Sequence, residues 1–142
     1  QKATKLYGDS LKPISDIALG SFIHDLKLIE LSLFLEKKYS GEFIPERRLK
    51  SLKGINGVGN FGHVPDGVLE INTKKIAIEL ELSVKGANRL LKIMKEYSSN
   101  FEYDQIWYFI EQKSVKSAIE KASRIAGIQN HLKIEELRGI YD

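Results

Sequence analysis

Cysteine is absent from the 142 residues, which excludes a disulfide framework, a cysteine-ligated zinc and a thiol nucleophile together. No apolar run approaches the roughly 20 residues of a membrane-spanning helix, so a cytoplasmic location with no membrane partner is expected. A strong excess of either charge is also missing. The 22 Lys+Arg against 19 Asp+Glu leave +3 and a pI ≈ 9.0, which permits nucleic acid as a partner without demanding it. There is no internal repeat and no low-complexity tract. What is present is ordinary globular usage, 42% hydrophobic and 29% charged, and the length of one compact domain over 1–142. The chain starts at Gln1 and its sole methionine is Met94, which reads as a domain cut from a longer protein.

Ser15 to Tyr39 reads as one long helix, with Ser15 as N-cap and Gly41 after its end. Leu19, Phe22, Ile23, Leu26, Ile29, Leu33 and Phe34 form an apolar stripe at spacings of 3 and 4. His24, Leu28, Leu31 and Leu35 form a second row. A helix apolar on two sides is either sandwiched in its own fold or used in an interface, with a second copy or an accessory protein as partner. Phe43 to Lys50 is expected as a short strand carrying Arg47 and Arg48. Gly54, Gly57, Gly59 and Gly62 mark a mobile loop.

Further strands are expected over His63–Ile71, Lys75–Ser83, Gln105–Ile110 and His131–Glu135, the first two joined by an Asn72-Thr73-Lys74 turn. Helices are expected over Lys85–Tyr97 and Ser114–Ala126, the latter closed by Gly127. The order α-β-β-β-α-β-α-β predicts an α/β fold, one mixed central sheet flanked by helices.

In Lys75–Ser83 the alternation puts Ile76, Ile78, Leu80 and Leu82 on one face and Ala77, Glu79, Glu81 and Ser83 on the other. Glu79 and Glu81 thus leave one face roughly 7 Å apart, with Asp66 on the neighbouring strand. Two glutamates there repel and are poor strand formers. A hard divalent cation such as Mg²⁺ or Mn²⁺ would relieve that cost and could activate water against a phosphodiester. A half-exposed strand with an acidic outer face is the plainer alternative. Lys85, four residues after Glu81, could orient that water or neutralise developing charge. Glu30 falls within the apolar stripe of the first helix, where a carboxylate needs a partner; a metal, a catalytic lysine or a structural salt bridge would each serve.

Gly57 to Gly62 matches G-x-G-x-x-G, but His63-Val64-Pro65-Asp66 follows and cannot open the helix that a dinucleotide site requires. A loop over a DNA groove and a plain connection both remain. Lys85, Arg89 and Lys92, spaced i, i+4, i+7, and partly Lys95, form a basic helix side that is either a phosphate-contacting ridge or solvated surface. Arg47 and Arg48 could add backbone contacts from across the cleft. His63 and His131 lack metal-ligand spacing and read as structural or surface residues, with a substrate contact as the alternative for His63, which lies close to Asp66. Trp107, Tyr108 and Phe109 read as core.

The stretches His24-Asp25-Leu26, Pro65-Asp66-Gly67 and Ala77-Ile78-Glu79-Leu80-Glu81-Leu82-Ser83-Val84-Lys85, with Arg89 and Tyr97 beyond, resemble the PD-(D/E)xK nuclease superfamily. The form is its E-x-E variant, in which glutamate replaces the usual lysine. More specifically, the stretches are similar to plasmid replication-relaxation proteins and to conjugative relaxases related to restriction endonucleases. The resemblance spans roughly Ser15 to Ile110. It implies a restriction-endonuclease-like αβββαβ core that binds Mg²⁺ or Mn²⁺ through Asp66, Glu79 and the Leu80 carbonyl. Glu81 would be a further ligand or a water-activating base, Lys85 the migrated lysine, and Glu30 a helix glutamate reaching the metal through water. It implies a DNA endonuclease, a relaxase-type nickase acting at a plasmid transfer or replication origin. A DNA- or partner-binding module that kept the fold and lost catalysis is the alternative. The chain departs from the family in having no evident DNA-reading segment.

Overall fold

The computed structural model describes residues 16–53 and 62–141. Ser15, the expected N-cap, and the glycines expected to form a mobile loop, Gly62 excepted, lie outside those residues. The elements are α1 (Asp16–Tyr39), β1 (Glu42–Pro45), α2 (Glu46–Leu52), β2 (Gly67–Ile71), β3 (Lys74–Glu81) and α3 (Ala87–Ser99), followed by β4 (Gln105–Ile110), α4 (Lys113–Ala126), β5 (Leu132–Glu136) and α5 (Leu137–Tyr141). A 3-10 turn, Gln129–His131, leads into β5. The protein is α/β, as expected, with α2 inserted after β1 and α5 added at the end.

Phe43 to Lys50 is a strand only as far as Pro45. Proline has no N–H for a ladder and suits an edge, and Glu46-Arg47-Arg48-Leu49-Lys50 are good helix formers with an acid in the first turn. Arg47 and Arg48 therefore lie exposed on a helix, not on a strand. β2 begins at Gly67 instead of His63, after the chain bends through Pro65 and Asp66. Gly67 is required there: a Cβ would come within 2.1 Å of the Phe43 ring. α3 begins at Ala87, since Gly86 occupies its N-cap, and Lys85 is left in the segment before it. α4 closes on Gly127 in the left-handed region at φ 75.

The five strands lie in sequence order in one sheet. β1, β2 and β3 are antiparallel neighbours, and β3, β4 and β5 run parallel, which requires the crossovers through α3 and α4. One face of the sheet carries Leu69, Ile76, Ile78, Leu80, Trp107 and Phe109 against Leu31 and Leu35 of α1 and Leu137 of α5. The other carries Ala77, Ile106, Tyr108 and Ile110 against α3 and α4, through Leu90, Ile93, Met94, Val115 and Ile119. Strands buried on both faces explain the near-continuous apolar run of β4.

On α1 the buried side is the shorter row, His24, Leu28, Leu31 and Leu35. The longer stripe faces outward, with Leu19, Phe22, Ile23, Leu26, Ile29 and Leu33 at 40–63% exposure, except for Phe34, which is half-buried against the core. Glu30 shares that exposed side, contrary to the expectation that it is buried. Periodicity measures how apolar a face is, not which of two apolar faces a sheet will cover. His24 distinguishes them: its Nε2–H donates to the Leu80 carbonyl at 3.0 Å and turns its row toward β3. Leu31→Ala should cost about 2–5 kcal/mol and Leu26→Ala less than about 1 kcal/mol, read by denaturant unfolding. The reverse order would show the outer stripe to be the covered one.

Candidate active site

The β2–β3 hairpin brings the acidic residues together. Gly67 pairs with Ile78 and Val68 with Ala77, so the same register, extended by one residue, sets Asp66 opposite Glu79. The Leu80 N–H donates to Asp66 Oδ2 at 2.8 Å and locks that arrangement. Glu79 and Glu81 share the α3/α4 side of β3 and are 3% and 6% exposed. The half-exposed acidic face weighed from the sequence is not what forms. Both glutamates are inside the sheet's packing, where an ionised carboxylate needs a partner.

Each acid has one. Glu79 Oε1 accepts a hydrogen bond from the Tyr97 hydroxyl and is paired with His63 Nε2. Glu81 Oε2 pairs with Lys85 Nζ at 2.8 Å. Asp66 Oδ2, besides the Leu80 N–H, has His24 Nε2 at 3.6 Å, a charge interaction and not a hydrogen bond. These contacts fall on a single oxygen of each carboxylate. The rings form a continuous wall as well, His63 meeting Tyr97 edge-on at 5.4 Å and Tyr97 meeting Tyr103 at 6.1 Å.

The electrostatics follow from this packing. The Asp66 carboxylate raises the His24 imidazole to about 9 against the opposing effect of burial, so His24 is a cation at neutral pH. Burial works against ionisation of Asp66, yet His24, the Leu80 N–H and Lys85 hold its pKa below the ordinary value. Glu79 goes the other way, raised by burial despite His63 and Tyr97. Tyr108 is raised well above its ordinary value, first by burial and then by the charges of Glu79, Glu81 and Asp66. Its hydroxyl is buried and, among the described residues, has no hydrogen-bond partner.

The structure thus brings Asp66, Glu79, Glu81 and Lys85 together and leaves the other expected site residues apart. Glu30 lines a separate pocket with Lys27, Glu111 and Arg138 that contains none of the three acids. Arg89 and Lys92 are exposed on α3, but Lys85 precedes the helix, so the three do not form one helical row. Lys92 and Lys95 line a cleft of about 810 Å³ whose wall includes His63 and Tyr97, the two partners of Glu79. Arg47 and Arg48 are not among that cleft's lining residues.

Four residues gain roles that spacing alone did not assign. His63 is three positions before Asp66, but only the fold turns its ring onto Glu79. His24 and Tyr97 figured in the resemblance without a role. Tyr108 lay hidden in an apolar run.

The donor chemistry fits a hard divalent cation, three carboxylates being the oxygen ligands that Mg²⁺ and Mn²⁺ prefer. Yet among the described residues no group of three or more His, Asp or Glu side chains is drawn together as a cage. The Leu80 carbonyl, an expected ligand, accepts from His24. Among the described residues no helix is long and apolar enough to cross a membrane. No family model, curated protein sequence or solved structure matches the chain.

The raised pKa of His24 makes a prediction about stability. A raised folded-state pKa contributes stability fully below the unfolded value of about 6.5 and loses it as pH rises through the folded value. In chelated buffer the wild-type thermal midpoint should therefore fall more between pH 7 and pH 10 than that of His24→Gln. Parallel curves for the two proteins would refute the pairing.

Proposed function

We propose that this domain is a metal-dependent DNA endonuclease on a restriction-endonuclease-like αβββαβ core, of the E-x-E form of the PD-(D/E)xK superfamily. The observation that carries the reading is the placement of Asp66 opposite Glu79, with Glu79 and Glu81 buried side by side on β3. Carboxylates without a use for their charge are expensive in such a position. The observed element order also agrees with that core once α2 is set aside.

In this reading Asp66, Glu79 and Glu81 would hold Mg²⁺ or Mn²⁺, with the Leu80 carbonyl, which already accepts from His24, as a further oxygen. The cation supplies an acidified water and neutralises charge on the phosphodiester. The rest is done by the chain. His24 and the Leu80 N–H keep Asp66 ionised. Tyr97 and His63 fix one oxygen of Glu79. Lys85 balances Glu81 and would meet charge developing on a phosphate bound beside it. Lys92 and Lys95 offer phosphate contacts along the cleft, with Arg89, Arg47 and Arg48 as outlying cations. The substrate proposed is plasmid DNA, nicked at a transfer or replication origin.

A second reading has a specific observation behind it: each carboxylate already has a protein partner, three of them basic side chains. That arrangement also suits a DNA-binding module without catalysis.

Nicking of supercoiled plasmid in Mg²⁺ or Mn²⁺ separates the two. Asp66→Asn, Glu79→Gln and Glu81→Gln should each reduce nicking at least about 100-fold with the fold retained by circular dichroism. Unchanged nicking in all three variants rejects the nuclease reading. A wild-type protein that binds DNA in a salt-dependent way yet never nicks it favours the second.

A further inference from the structure

Tyr108 is 1% exposed, and its hydroxyl is a buried polar group without a protein partner among the described residues. Such an orphan costs about 1–3 kcal/mol. Phenylalanine would fill the same space without that cost, and the chain uses phenylalanine at the next position, where Phe109 packs on the opposite face. Tyr108 stands on the α3/α4 side of the sheet with Ile106 and Ile110, both purely apolar. Parallel pairing sets Tyr108 directly beside Glu79, and Ile110 beside Glu81. Burial first, and then the charges of Glu79, Glu81 and Asp66, favour the protonated hydroxyl. It is therefore a buried hydrogen-bond donor on the face that carries Glu79 and Glu81, hydrogen-bonded to neither. A donor so placed is satisfied by an oxygen lying between it and the acids.

We propose that Tyr108 is a positioning residue of the carboxylate site, its hydroxyl donating to a solvent oxygen held among Asp66, Glu79 and Glu81. This rests on the divalent-cation reading, in which that oxygen is a water of the bound ion. The hydroxyl would act through this water, fixing its orientation from the neighbouring strand. Partners at one remove from a metal characteristically tune its binding by 10–100-fold.

Tyr103 supplies the control. Its hydroxyl is also buried and unpartnered among the described residues, but the charges acting on it are those of Glu102 and Glu79, without Asp66 or Glu81. Mn²⁺ titration of the full chain, wild type against Tyr108→Phe and Tyr103→Phe, separates a built donor from a mere orphan. Tyr108→Phe should weaken Mn²⁺ binding about tenfold, with no fall in the thermal midpoint of the chelated protein. Tyr103→Phe should bind Mn²⁺ as the wild type does. Wild-type affinity in Tyr108→Phe would overturn the proposal while leaving the cation reading intact. An equal loss of thermal midpoint with and without Mn²⁺ would also overturn it, since the hydroxyl would then serve the fold alone. A wild-type protein that fails to bind Mn²⁺ removes the cation reading, and this proposal with it.

Discussion

The structure depends on the burial of Glu79. A carboxylate at 3% exposure in the middle of an apolar strand is tolerated only with compensation from several directions. That need explains features otherwise unrelated. His63 must come back over the sheet after the glycine-rich segment, Tyr97 must end up on the inner side of α3, and Asp66 must meet the Leu80 N–H. Remove the acid and the polar side chains on the α3/α4 face lose their purpose.

Charge at the site is arranged by pairing, each acid beside a basic side chain. His24 with Asp66 and Lys85 with Glu81 are salt-linked across different elements, so α1 and the β3–α3 segment are tied to the hairpin electrostatically as well as by packing. A ligand cation would compete with these internal cations for the same carboxylates. Affinity at the site is then a difference between two sets of charge interactions, not the strength of one.

Much of the architecture was legible because its signals are periodic. The alternation of β3, the apolar run of β4 and the Gly127 stop of α4 each follow from one rule, and the shared face of Glu79 and Glu81 falls out of the period of two, although its burial does not. The short β1 and α2 were not legible as separate elements, since neither extends over enough residues to show a period. Which face of α1 is buried was misread because both are apolar and the deciding contact, His24 to Leu80, spans 56 positions in sequence. That misreading carried Glu30 with it. His63 and Tyr108 were illegible for the same reason: their chemistry comes from neighbours brought by the sheet, and an isolated histidine or a tyrosine between tryptophan and phenylalanine gives no local signal.

The parallel pairing of β3 with β4 has a consequence for biosynthesis. Glu79 and Glu81 leave the ribosome well before Tyr108 and Ile110, the strand positions beside which they are buried. The hairpin carrying the acids can form early, since its contacts are local, whereas the parallel partner must wait for the whole of α3. A nascent chain therefore holds its acidic groups in contact with water until β4 emerges, and the site acquires its low-dielectric surroundings only late in synthesis.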